Sequence, residues 1–308
     1  MQVLKLPMIA NKEAESQALE IEATSSKMKD YVQLIKFRLS FLVVFSATAM
    51  FLLGTTGPID WMKLTMLVLG GFMVTGSSNA FNQIIEKDLD KLMTRTQKRP
   101  LPDNRMDVPE AMIFSLIMGI VGVFLLTYFI NILCGILGLI ALLSYTLIYT
   151  PLKKHTPFAV FVGAFPGAIP PMLGYVAATG KLDMIAFVVF AIQFIWQFPH
   201  FWAIAWVLDD DYKKAGFKML PSPGGRNKAS AFQALVYTIS LIPLSLLPFF
   251  FNITGSISSI VIIAAGVFFM LKAIKLYQTL TIEAARALMF ASFIYLPVVQ
   301  IAMFLDKV

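Results

Sequence analysis

The sequence predicts an all-α integral membrane protein with about nine transmembrane helices. Three observations predict it. Hydrophobic residues make up 58% of the 308 positions and the mean hydropathy is +0.75. Charged residues are only 14%, against roughly 25% in soluble domains. The apolar residues also fall into nine runs, each near the length of about 20 residues that a membrane crossing needs. A chain of this length has room for those crossings and for no large soluble domain.

Taken in order, the predicted spans are 39–55, 62–82, 110–128, 131–149, 157–177, 183–204, 230–251, 256–275 and 286–304. Short turns such as Thr55-Thr56-Gly57-Pro58, Ala178-Thr179-Gly180 and Asn252-Ile253-Thr254-Gly255 join them on one side. Longer charged loops join them on the other. The fifth span carries three prolines and three glycines between Gly163 and Gly174, which predicts a kinked, closely packed helix.

Charge sets the orientation. The N-terminal region holds Lys5, Lys12, Lys27, Lys29, Lys36 and Arg38, and the loops after the second, fourth, sixth and eighth spans hold nearly all the other basic residues. Only Lys63, Lys181 and Lys307 fall on the opposite side. The positive-inside rule places the N-terminus in the cytoplasm and the C-terminus outside. Residues 1–36 read as a cytoplasmic tail and 37–308 as the transmembrane domain. The first apolar run starts too far in for a signal peptide, and Glu13, Glu15, Glu20, Glu22 and Asp30 are too many acids for an organelle transit peptide. The location implied is a bacterial inner membrane. The formal charge of +7 is topological, and no basic module suggests nucleic acid. Cys134, the single cysteine, reads as a packing residue.

Two polar motifs interrupt this pattern at one membrane face. Beyond the second span, Asn82, Glu86 and Asp90 recur at i, i+4 and i+8, so a helix presents all three on one stripe. Oxygen-only ligands suit magnesium, which bridges carboxylates to substrate phosphates. Arg95 and Arg99 follow, and guanidinium groups match phosphate oxygens in a planar fork. Asp88 lies off the stripe and reads as solvated. The sixth span ends alike, with Asp209, Asp210 and Asp211 ahead of Lys213, Lys214 and Lys218. Two acidic clusters at one face suggest metal held around one diphosphate. The bland alternative is a solvated surface with helix-end salt bridges. His200 lies inside the sixth span, where an ionisable residue is either a site or an interhelical hydrogen-bonding group. Lys153 and Lys154, in the loop after the fourth span, read individually as positive-inside anchors.

The string from Asn82 through Glu86 to Asp90 resembles the N-x-x-x-D-x-x-x-D signature of the UbiA-type intramembrane prenyltransferase superfamily, with Glu86 in place of the first aspartate. R-T-Q-K-R-P-L, Y-T-P-L-K-K-H-T, G-A-F-P-G-A-I-P-P-M-L-G, P-H-F-W-A-I-A-W and D-D-Y-K-K-A-G-F-K-M-L-P follow in order and resemble its protohaem IX farnesyltransferase branch. The resemblance implies a nine-helix bundle around a central cavity open to the cytoplasmic side. It implies Mg2+, farnesyl diphosphate as donor and haem B as acceptor, alkylated at a vinyl group to give haem O. By position it makes Asn82, Glu86, Asp90, Asp210 and Asp211 the catalytic metal-binding residues. Arg95, Arg99 and Lys153 become diphosphate-binding residues. Quinone-type relatives carry an aspartate near His200, so this residue becomes a haem-contact candidate. Coupling to a haem A synthase or a terminal oxidase is implied by the resemblance alone. The nearest alternative is a quinone-type prenyltransferase of the same fold. A transporter is the non-enzyme alternative, although transport sites usually lie near the bilayer midplane.

Overall fold

The computed structural model describes residues 27–308, so the tail expected over 1–36 lies outside the described residues up to position 26. Among the described residues nine helices are long and apolar enough to cross a membrane. They are α1 (Phe37–Gly54), α2 (Trp61–Asp90), α3 (Val108–Phe129), α4 (Ile132–Leu152), α5 (Ala159–Thr179), α6 (Met184–Lys214), α7 (Lys228–Phe250), α8 (Ser256–Thr279) and α9 (Ile282–Leu305). The chain is a multi-pass membrane protein.

Helix starts follow capping chemistry, in which a short polar side chain accepts an otherwise unpaired N–H. Asp60 caps α2, Asn131 caps α4, Asp183 caps α6, Asn227 caps α7 and Thr281 caps α9. The first turn of α8 is capped from afar, where Ser258 N–H donates to Asp306 Oδ2 at 2.6 Å.

Consecutive helices pack side by side, and α9 closes the ring against α1. Three further contacts tighten it, α1 against α5, α6 against α9 and α2 against α4. Helix α5 is the most buried span. It runs unbroken across Pro166, Pro170 and Pro171, where the sequence predicts a kink. The close packing expected there is present. A Cβ at Gly174 would overlap the Ala47 carbonyl of α1, so only glycine lets the two backbones meet.

Helices α2 and α6 are the longest, at 30 and 31 residues. Both outrun their apolar spans at the same end of the bundle and carry their acidic motifs on regular helix rather than on loops. Helix α4 contains a π-helical turn, Ser144–Tyr149. Such turns are rare and gather at functional sites.

A helical stretch over 27–34 lies beneath this end and breaks just before α1. Asn79 and Gln83 of α2 fill the break. Gln83 donates to the Gln33 and Leu34 carbonyls at 3.1 and 2.6 Å, and Asn79 donates to Ser40 Oγ at 3.1 Å. Asp30, 2% exposed, pairs with Arg105 of the α2–α3 loop.

Candidate active site

The stripe predicted on α2 is present and buried, with Asn82 at 2%, Glu86 at 3% and Asp90 at 0% exposure. Each member meets a different element. Asn82 Oδ1 accepts from Lys36 Nζ at 3.0 Å, and its amide donates to Thr150 Oγ1 of α4 at 3.3 Å. Glu86 Oε1 pairs with Lys153 at 2.5 Å, just beyond the end of α4. Asp90 Oδ2 accepts from Arg99 at 2.6 Å. Asp88, off the stripe, is exposed and pairs only with Lys91. Spacing therefore separated the inward acids from the outward one, as a period of 3.6 requires.

The α6 cluster divides. Consecutive residues on a helix diverge by about 100°, so three aspartates in a row cannot face one cavity. Asp211 turns toward the α2–α3 loop, where its oxygens accept the Thr94 and Arg95 N–H groups at 2.8 and 3.2 Å. Lys214 bridges the same junction, at 2.6 Å from Thr94 Oγ1 and 3.2 Å from Asp211. Asp210 is 72% exposed at its side chain and pairs with Arg226 at 2.9 Å. Asp209 is buried and pairs with Lys213 at 2.6 Å. The ends of α2 and α6 thus meet through Asp211 and the loop that carries Arg95 and Arg99. The Arg95 side chain has no ion-pair partner among the described residues.

Lys36 and Arg226 escape sequence reasoning. Lys36 reads as one more positive-inside residue ahead of an apolar run. Nothing in the sequence says that the break before α1 turns it inward. Its backbone is left-handed, with φ 49°, a conformation that non-glycine residues seldom adopt without a reason. Burial and the Arg99 charge push its ammonium pKa down to about 7. Arg226 lies in the Pro/Gly-rich loop after α6. It ties that loop to the helix by donating to the Trp206 carbonyl at 2.7 Å.

Beneath this polar cluster lies a cavity of about 270 Å³. Asn79, one turn below Asn82, lines it together with Tyr145 and Tyr149 from the π-helical turn. The Tyr149 ring lies against Gly163, where any Cβ would overlap it. Deeper in, the walls are Pro166 and Gly167 of α5, Trp196 and His200 of α6, and Phe293 of α9. His200 is 8% exposed.

Among the described residues no three His, Cys, Asp or Glu side chains already converge in metal-holding geometry. The donor chemistry nevertheless fits magnesium. Asn82, Glu86 and Asp90 offer oxygen ligands, and the buried Asp90 Oδ1 has no hydrogen-bond donor.

Membrane helices ring an apolar cavity, and buried carboxylates and cations cluster one turn beyond its Asn79, an arrangement suited to an intramembrane enzyme. The model of the UbiA prenyltransferase family matches residues 42–296, and the chain belongs to that family. Similar curated proteins include the protoheme IX farnesyltransferases of Cytophaga hutchinsonii and Christiangramia forsetii. The first is 48% identical, covering 92% of this chain and 99% of that protein. The second is 47% identical, covering 92% and 95%. Among solved structures, one described as digeranylgeranylglyceryl phosphate synthase superposes with a TM-score of 0.76 at 24% identity, covering 91% of this chain and 98% of that one. A UbiA homolog from Archaeoglobus fulgidus bound to GPP and Mg2+ superposes with a TM-score of 0.68 at 15% identity, covering 88% and 99%. These two structures share the fold.

Proposed function

We propose that this chain transfers the farnesyl group of farnesyl diphosphate to a vinyl group of haem B, giving haem O and diphosphate at the cytoplasmic face of a bacterial inner membrane. Kinship carries the choice of acceptor, since relatives sharing nearly half of all positions over 92% of the chain bear the farnesyltransferase name. One contact carries the choice of chemistry. Asp211 holds the Thr94 and Arg95 amides, which brings the end of α6 to the arginine loop, and Arg99 of that loop pairs with Asp90 of the α2 stripe.

The diphosphate belongs at the mouth and the isoprenoid chain in the cavity. Arg95, Arg99, Lys153 and Lys36 supply the cations, and Asn82, Glu86 and Asp90 would hold magnesium. Magnesium supplies Lewis-acid neutralisation of charge on the leaving diphosphate. Asp211 is the proposed positioning residue for Arg95, and Asp210, which the resemblance also assigns to metal, stands at the rim. Ionisation breaks the bond between C1 and the diphosphate oxygen, and the electron pair leaves with the diphosphate. Fixed cations aimed at that oxygen favour the transition state over the ground state. The allylic cation is left among apolar and aromatic walls that exclude water, and aromatic faces favour cations. The vinyl group then donates its π pair to C1. Water adds to the resulting cation and loses a proton, leaving a hydroxyl on the new side chain.

The test is a membrane assay with labelled farnesyl diphosphate, offering haem B and 4-hydroxybenzoate as separate acceptors. Label should appear in extracted haem as a farnesylated, hydroxylated product. Labelling of the quinone precursor with none in haem would overturn the reading.

A further inference from the structure

Gln193 and Gln197 lie one turn apart on α6 and line the cavity, 8% and 3% exposed. The orientation of the Gln197 amide is fixed by its partners. Its Nε2 donates to the Ala164 carbonyl of α5 at 2.9 Å and to the Gln193 carbonyl at 3.3 Å. Both partners are backbone oxygens, which can only accept, so the amide nitrogen must face them. Both of its N–H groups are thereby committed. The other end of the amide, Oε1, keeps its lone pairs and meets no donor among the described residues.

The fold keeps room for that oxygen. Oε1 lies against Gly167 of α5, which also lines the cavity, and a Cβ at that position would overlap it. Gln300 of α9 joins the group, its Nε2 donating to Gln193 Oε1 at 3.4 Å. The Gln300 Oε1 is itself buried without a donor. A buried amide oxygen without a hydrogen bond is costly. Three glutamines inside the bundle therefore present acceptor capacity that the protein leaves unused. The chemistry that fits is a small neutral hydrogen-bond donor. Water is such a donor, and it settles in buried sites only where polar groups are left to bind it.

Resting on the reading that the acceptor is haem, we propose that Gln197 Oε1 positions the water that hydroxylates the alkylated vinyl group. Attack of the vinyl π pair on C1 leaves a cation on the vinyl carbon next to the macrocycle. Two fates compete for that cation. Loss of a proton from the neighbouring CH2 gives an alkene, and addition of water gives the hydroxyl. A water that donates one hydrogen to Gln197 Oε1 keeps a lone pair free for the cation. The C–O bond forms from that lone pair, and the oxygen takes up the positive charge. An amide oxygen is too weak a base to keep a proton, so the surplus proton passes to the diphosphate released in the first step. The negative end of the amide dipole also favours the cationic centre. Glutamine orients an attacking water without deprotonating it in other enzymes too.

The test is mass spectrometry of the haem products made by the full chain in nanodiscs, supplied with farnesyl diphosphate and haem B. The wild type should give mainly the hydroxylated product. The competing alkene is lighter by one water. Gln197→Met keeps the volume and removes the oxygen, so the ratio of alkene to hydroxylated product should rise about tenfold. Gln197→Glu should restore the wild-type ratio, because a neutral carboxyl can donate to the Ala164 carbonyl and still offer an oxygen to the cavity. Gly167→Ala leaves the glutamine in place but displaces its Oε1, so it should shift the ratio as Gln197→Met does. It also decides the matter if the Gln197 variants fail to fold. A wild-type ratio in Gln197→Met or in Gly167→Ala overturns the role of Oε1. So does an equal fall in both products, which would make the glutamine a packing residue only. A wild type that leaves haem unfarnesylated overturns the acceptor reading and the water site with it.

Discussion

The ends of α2 and α6 look alike as sequence: an apolar run, then acids, then bases. Folded, they differ. On α2 the acids are four residues apart and all three motif members face inward, buried, each facing its own partner. On α6 the acids are consecutive and scatter, one buried beneath an exposed lysine, one to solvent and one to the neighbouring loop. Spacing, more than the number of carboxylates, decides which end can grip a ligand. On the proposed reading the α2 end supplies the ligands, and the α6 end, through Asp211, sets the position of the loop that carries the arginines.

The largest effect belongs to α2. Asp90→Ala removes a buried oxygen donor and leaves Arg99 unpaired, and should lower haem farnesylation in membranes about a thousandfold. Retention of near-normal product would mean that the stripe is structural. Asp211→Ala, on α6, should cost about a hundredfold by loosening Thr94 and Arg95 rather than by removing a ligand. Single-turnover assays at saturating farnesyl diphosphate distinguish the two. A loss equal to that of Asp90→Ala would place Asp211 among the ligands and collapse the contrast between the two ends.

A smaller effect comes from Lys36. Its pKa near 7 makes it charged below neutral pH and neutral above. On the proposed reading diphosphate binds the charged form, so this contribution is full in acid and is lost as pH rises. The protonated fraction of such a group falls about tenfold between pH 6 and pH 8. The KM for farnesyl diphosphate should rise over that interval, and Lys36→Arg should flatten the slope because arginine stays protonated. An identical slope in Lys36→Arg would assign the dependence elsewhere. Asp210→Ala, removing an exposed pair with Arg226, should change activity less than about twofold. A large loss there would put the outward face of α6 in the site.

The sequence makes the spans legible because hydropathy and the sidedness of lysine and arginine are both imposed by the bilayer. Within the site it makes Asn82, Glu86 and Asp90 legible, because their period survives folding unchanged. Where α2 and α6 end is less legible. The apolar spans predicted at 62–82 and 183–204 stop where lipid stops, but both helices run on to Asp90 and Lys214, because helix needs no apolar face once it leaves the membrane. Lys36 was hidden because its inward turn depends on Asn79 and Gln83, more than forty positions away. The π-helical turn that presents Tyr145 and Tyr149 has no local signature either. It depends on what α4 packs against.

The ion pairs at the mouth bear on how tightly the enzyme holds what it binds. Lys153 pairs with Glu86, and Arg99 pairs with Asp90. On the proposed reading an arriving metal–diphosphate would exchange partners with them, so its affinity would be the difference between two sets of contacts. On the same reading, as the spent diphosphate departs these cations would close back on the same carboxylates, so release would not leave bare opposite charges behind.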